Sequence, residues 1–328
     1  MAVIEVVDLV KEYMITKKES GLRGSLKSLF FPKKTTIRGV DGISFSIQRG
    51  EIVGYIGPNG AGKSTTIKML TGILHPTSGS IQVCGISPQE DRKSVVRRLG
   101  VVFGQRTQLY WDLRLGESFE LLRRIYQIDK TEYDETLRIL TDVLKLSDFI
   151  DTPVRQLSLG QRMRGDLAAA MLHSPEVLFL DEPTIGLDAD AKHAIRSFIL
   201  EINRNRGVTV ILTTHDLDDV EQLCSRLIVV NHGKVVEDGP IQSIVGKLAP
   251  KRLLVIELQH LGDDLSHPSA EIIKQEGLKI WYQFEKAKIT ASELISDLSR
   301  KLAIQDLSVQ EPDIEDAIRE VYKTTARI

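Results

Sequence analysis

The chain has 328 residues, with 43 Lys plus Arg against 45 Asp plus Glu, a formal net charge of -2. Apolar residues make up 42% and charged residues 27%, ordinary globular usage that allows a sizeable core in one large domain, or one domain plus a small appendage. The near-neutral balance excludes the basic footprint of a DNA- or RNA-binding chain, and no run of 18 consecutive apolar residues is present to span a membrane.

The opening VIEVVDLVKEY alternates apolar and polar residues and predicts a strand; its early acids exclude a secretory signal. A basic insert follows at about 14–38. Leu22, Leu26, Leu29 and Phe30 have helical spacing there, among seven basic residues and one acid in 17–38. That pattern reads either as an amphipathic element against a membrane partner or anionic headgroups, or as a solvated loop. Alternation resumes at VDGISFSIQ. EIVGYIG predicts a strand, a glycine-rich turn follows, and STTIKMLTGIL predicts a helix. SIQVCG predicts another strand after the turn PTSGS.

From about 112 to 150 strand character is lost. ESFELLRRIYQI and YDETLRILTDVLKL space their Leu, Ile and Tyr residues by three and four, which predicts a helical subdomain over about 106–165. VLFLDEP, TVILTTH and RLIVVNHGKVVEDG read as strands with helices between them, an alternation that argues for a parallel sheet covered on both faces. Residues 1–248 are thus expected as the main domain. Beyond Pro250, LLVIEL, LKIWYQF and DLSVQ read as strands and ASELISDLSRKL and PDIEDAIREVY as helices, which predicts a small α/β domain over 249–328. Cys84 and Cys224 lie far apart among apolar neighbours, as reduced core thiols in a cytosolic setting would. His173 and His232 are expected to have structural places.

Gly57-Pro58-Asn59-Gly60-Ala61-Gly62-Lys63-Ser64 fits the pattern Gly-x-x-x-x-Gly-Lys-Ser/Thr between a predicted strand and a predicted helix. Glycines let backbone N–H groups close around a triphosphate, and the positive end of the following helix faces the same anion. Lys63 supplies a cation for the β- and γ-phosphates and Ser64 a hydroxyl ligand for Mg²⁺. Such a loop needs a carboxylate at the end of another strand. Val177–Leu180 leads to Asp181, placed for the metal, and Glu182, placed to orient the attacking water.

Between these elements stands Leu157-Ser158-Leu159-Gly160-Gln161. With the Gly57–Thr65 loop before it and the LDEP strand end after it, the chain resembles an ABC transporter ATPase subunit over about residues 2–245. The family more often has glycine at the place of Leu159, which leads us to expect different backbone freedom there. The resemblance implies a P-loop NTPase core of ABC type, α/β in class, with a helical subdomain and a small C-terminal α/β appendage. It implies that Tyr13 stacks on adenine and that Gln105 senses Mg²⁺ and the permease. It further implies that Ser158, Gly160 and Gln161 form the signature, that Asp188 belongs to the segment crossing the dimer interface, and that His215 is the switch histidine contacting the γ-phosphate.

One loop and one signature are present, and in this family ATP lies between the loop of one copy and the signature of another. The resemblance therefore implies ATP and Mg²⁺ as cofactors, a second ATPase subunit and an integral membrane permease as partners, and a peripheral place at the cytoplasmic face of the membrane. A soluble translation factor of this superfamily would carry two cassettes. A repair ATPase would carry a long coiled coil where only about 90 residues separate loop and signature. An importer subunit has the same chemistry; the C-terminal extension resembles those of the ABC-2 type exporter group, and the phrases FGQRTQLYWDL and PVRQLSLGQRMR resemble a subgroup of bacterial exporters of drug-like cations, which together favour export.

Overall fold

Apolar runs without alternation build the centre of the fold. The computed structural model describes residues 2–17, 33–104, 106–248, 251–260 and 264–310, with residues 315, 318 and 322. Its strands, in chain order, are β1 (Ala2–Lys17), β2 (Lys33–Gln48), β3 (Ile52–Ile56), β4 (Ser78–Val83), β5 (Leu99–Phe103), β6 (Val177–Asp181), β7 (Thr209–Thr213), β8 (Arg226–Asn231), β9 (Lys234–Pro240), β10 (Lys251–Leu258), β11 (Ala270–Glu276), β12 (Lys279–Glu285) and β13 (Ile304–Gln310). The chain divides into two compact units, Met1–Asp238 and Gly239–Ile328.

In the first unit, β3, β6 and β7 are buried along nearly all their length, as strands covered on both faces must be. They belong to a six-stranded sheet of order β5-β6-β7-β3-β8-β9, with the first five parallel. His232 and Gly233 turn β8 into β9. Both have positive φ, 48° and 77°, as a two-residue hairpin turn requires. Because the strands are parallel, their carboxyl ends share one edge of the sheet, where open α/β sheets gather their ligand-binding loops. The residues after Ile56, Asp181, Thr213 and Phe103 all emerge there. Strand β5 is not among those the pattern predicts, since LGVVF carries no alternation. Its pairing with β6, Phe103 opposite Asp181, brings Gly104 and Arg106 to that edge.

The amino-terminal strands form their own antiparallel layer of order β2-β1-β4, apart from the parallel sheet. Their alternation buries Ile4, Val6, Leu9, Ile43, Phe45 and Ile47 in the core. The β1–β2 ladder continues to Lys17 opposite Lys33, so paired strand occupies both flanks of the basic segment. Leu22, Leu26, Leu29 and Phe30 lie outside the described residues.

Helices form at Leu115–Tyr126 and Lys130–Leu144, where the spacing predicts them. The first buries Leu115, Phe119 and Leu122, the second Tyr133, Leu140 and Leu144, each contributing about 1.5–3 kcal/mol on full burial. The Asp129 side chain accepts the Thr131 N–H and starts the second helix. His173 donates from Nε2 to the Leu99 carbonyl oxygen at 2.8 Å and stacks on Tyr126, a packing role; burial pushes its pKa down.

In the second unit, antiparallel strands of order β11-β12-β10-β13 bury Leu254, Ile256, Ile280, Tyr282 and Phe284 against Leu294 and Leu298 of the helix Ala291–Lys301. Thr290 and Glu293 close a capping box on that helix. The predicted helix PDIEDAIREVY falls mostly outside the described residues. Among the described residues no helix is long and apolar enough to cross a membrane.

Candidate active site

Strand β3 runs directly into the glycine-rich loop. A Cβ on Gly57 would lie 2.3 Å from the Val230 carbonyl oxygen, and one on Gly62, at φ +103°, would lie 2.4 Å from that of Gly39. Only glycine fits either place. Gly62 is also the N-cap of the helix Lys63–Leu70, and no side chain caps that end, which leaves its first-turn N–H groups for an anion.

Lys63 is 8% exposed and donates from Nζ to the carbonyls of Gly57, at 2.6 Å, and Pro58, at 3.1 Å. Burial lowers its pKa, while the charges of Glu182 and Asp181 act in the opposite sense. The loop opens on a cavity of about 630 Å³, lined by Asn59, Gly60, Gly62, Lys63, Ser64 and Thr65 on one side and Phe103, Gly104, Arg106, Asp181 and Glu182 on another. Cationic, amide and carboxylate groups thus converge on a space of ligand size.

Asp181 ends β6, and its Oδ1 accepts a hydrogen bond from the hydroxyl of Thr213 at the matching place on β7. The Ser64 hydroxyl and the Asp181 carboxylate line the same cavity. Hard oxygen donors of this kind suit Mg²⁺. Glu182 has a left-handed backbone, φ 55°, held by its N–H donating to the Thr213 carbonyl at 2.8 Å. Gly104 leaves room for it, since a Cβ there would fall 2.1 Å from the Glu182 carbonyl oxygen. The Glu182 carboxylate meets the His215 ring, Oε1 to Nε2, at 2.8 Å; their side chains are 20% and 47% exposed.

The Tyr13 hydroxyl lies 3.4 Å from Thr65 Oγ1 and its ring covers Gly39, a cavity-lining residue. Gln105 lies outside the described residues, although its neighbours Gly104 and Arg106 line the cavity. Ser158 is the N-cap of the helix Leu159–Met171. It accepts the Gln161 N–H at 3.2 Å while Gln161 Oε1 accepts the Ser158 N–H at 2.9 Å. Leu159 is the first residue of that helix and has no positive φ, so leucine there introduces no backbone strain. Asp188 caps the helix Ala189–Arg206 by accepting the Ala191 N–H at 2.7 Å. None of Ser158, Gly160, Gln161 and Asp188 lines the cavity.

Two participants escape a reading of the sequence. Thr213 is indistinguishable there from any strand threonine. Asp166, on the helix Leu159–Met171, accepts at Oδ1 from the Thr107 hydroxyl and the Gln108 N–H, both at 2.9 Å, and so ties down the segment that follows Gln105. Burial pushes its carboxyl up to about 6 against the pull of those donors.

The family model described as ABC transporter matches residues 40–185. The Nod factor export ATP-binding protein I of Burkholderia thailandensis is 39% identical over 210 residues, 63% of this chain and 67% of that protein. The chain belongs to the ABC transporter ATPase family. The linearmycin resistance ATP-binding protein LnrL of Bacillus subtilis is similar over a longer span, 29% identical across 87% of this chain and 93% of its own length. Among solved structures, one described as the ATP binding subunit of an ABC transporter superposes with a TM-score of 0.63 at 27% identity, covering 75% of this chain and 92% of that one. This ABC ATPase therefore binds ATP and hydrolyses it as the nucleotide-binding subunit of a transporter, on the P-loop α/β core described above.

Proposed function

We propose that this ABC ATPase works as half of a pair, closing with a second ATPase subunit on two molecules of ATP and driving a separate permease that exports a small molecule. One observation carries the pairing: the cavity at the P-loop is lined by Lys63, Ser64, Asp181 and Glu182, and not by Ser158, Gly160, Gln161 or Asp188 of the same chain. Those four residues complete a site only on another copy. ATP then favours the closed pair because two subunits contact it instead of one.

Within one site, the Gly57–Thr65 amides and Lys63 hold the phosphates, and Tyr13 offers its ring to the adenine. Ser64 and Asp181 would hold Mg²⁺, which neutralises phosphate charge when bound. Glu182 orients the attacking water and accepts its proton as the water oxygen bonds to the γ-phosphorus and the bond to ADP breaks. His215 holds the Glu182 carboxylate in place. Gln105 would report the state of the site to the permease. Export is supported by the names of the two relatives, one concerned with Nod factor export and one with resistance to linearmycin. The working place that follows is the cytoplasmic face of the membrane, docked on the permease.

Two measurements test this. Glu182→Gln with ATP should elute as a dimer by light scattering and return to monomer without nucleotide; a monomer under both conditions sinks the pairing. The tagged chain, purified from gently solubilised membranes of its native cell, should bring down a multi-spanning membrane protein. Recovery with ribosomes or DNA instead would overturn the transport role.

A further inference from the structure

Behind the pair formed by Glu182 and His215 lies a carboxylate with no access to solvent. Asp219, on the helix Leu217–Leu223, is 0% exposed. Its Oδ2 accepts the hydroxyl of Thr184 and, at 3.4 Å, that of Thr214. Its Oδ1 accepts Nε of Arg196 at 2.5 Å, and a terminal nitrogen of the same guanidinium stands equally close. Thr184 follows Glu182 by two residues, and Thr214 directly precedes His215. Arg196 belongs to the helix that Asp188 caps. One carboxylate therefore joins the turn after β6, the end of β7 and the helix Ala189–Arg206.

A second tie runs beside the first. Asp216, directly after His215, pairs with Lys192 of that helix, and the Asp216 N–H donates to Thr214 Oγ1 at 2.9 Å. His215 is thus bracketed by two anchored residues. Glu182 sits two residues before a third anchored one, in a backbone conformation that persists only where its surroundings determine it.

Stability is a poor reason for such a cluster, because the desolvation of a buried ion pair offsets most of its Coulombic gain. What it does supply is position. We infer that Asp219 is a positioning residue for ATP hydrolysis. Through Thr184 and Thr214 it holds Glu182 and His215 at their 2.8 Å separation, and through Arg196 it links that geometry to the helix headed by Asp188. The inference rests on the roles proposed above for Glu182 and His215. It also gives those roles a mechanical input, since a shift of the Asp188 segment on pairing reaches the hydrolytic residues through Arg196.

Asp219→Asn would remove the nearer of the two carboxylates that face Arg196, Asp216 being the other at 3.8 Å, and lose stability whatever the role of the residue, so the hydroxyl arms are the informative change. Thr184→Val and Thr214→Val, singly and together, keep shape and leave the ion pair whole; Thr214→Val also removes the acceptor of the Asp216 N–H, so Thr184→Val isolates the Asp219 arm. ATP turnover of the full chain should fall about 10- to 100-fold in the double variant, the scale of loss that follows small misplacement of reacting groups, with KM for ATP within about twofold of wild type. Thr184→Ser, which restores the hydroxyl, should recover most of the rate. In a Glu182→Gln background, adding Thr184→Val should cause no further loss, because residues acting as a unit are not additive. Wild-type kcat in the folded double variant, or a further multiplicative loss in the Glu182→Gln background, would overturn the inference. Wild-type turnover of Glu182→Gln alone would instead remove the role of Glu182, so the two failures are distinguishable.

Discussion

His215 Nε2 lies 2.8 Å from Glu182 Oε1, a contact between residues that follow two neighbouring parallel strands, β7 and β6. A carboxylate that orients water is useful only if its own rotamer is held, and the imidazole holds it. His215→Ala is therefore expected to lower kcat by about 100-fold, within the range for loss of a group assisting proton transfer. ATP binding should persist, since the loop and Lys63 hold the phosphates and the ring, even where it reaches the γ-phosphate, is not part of the cavity lining. Steady-state rates and nucleotide titration on the same preparation check both statements.

Lys63 has a buried ammonium group bonded to two carbonyls and facing a cavity shaped for anions. In the wild type, ATP at about 100 times its Kd should stabilise the fold by about 2.7 kcal/mol. Lys63→Ala should lose nearly all of that increment. Thermal unfolding with and without ATP reads it directly, and an undiminished ATP-dependent rise in Tm would exclude Lys63 from phosphate binding.

Ser158 caps its own helix, yet the hydroxyl proton remains free to donate to a phosphate on another copy. Ser158→Ala should destabilise the fold by about 1 kcal/mol through the lost cap. A residue that only caps would leave kcat unchanged well below Tm. The expectation here is a fall of about tenfold or more, the effect of losing one preorganised donor.

Asp166 has its carboxyl raised from 3.8 to about 6, chiefly by burial. The folded state then holds the proton more tightly than the unfolded state, so stability is fullest below about pH 4 and falls as pH rises through 6, by on the order of 2–3 kcal/mol from this group. Asp166→Asn keeps an acceptor for Thr107 and Gln108 and removes the charge. Its unfolding free energy should exceed that of wild type at pH 8 and converge with it near pH 4. Denaturant titrations at the two pH values decide the point.

Much of the site is legible in the sequence for a local reason. The residues of Gly57–Thr65 act through their own backbone and the helix they start, so their spacing along the chain is already their geometry. The same holds for the capping box of Ser158 and Gln161 and for the helices at Leu115–Tyr126 and Lys130–Leu144, where a period of three to four residues is a property of one segment. The apolar runs ending in Asp181 and before His215 likewise announce buried strands.

Other features depend on which segments become neighbours, and chain spacing carries no record of that. Strand order places β6 beside β7 and β7 beside β3, and only that order sets Glu182 against His215 and brings Glu182 to the cavity that Lys63 lines. Nothing in the spacing marks Asp219 and Arg196 as partners; Asp219 is fully buried and its pair with the nearly buried Arg196 forms because two helices and two strand ends close around them. Local propensity and motif spacing determined the elements and the phosphate loop. Long-range strand pairing, whose energy comes from burying faces far apart in the chain, decided which side chains meet.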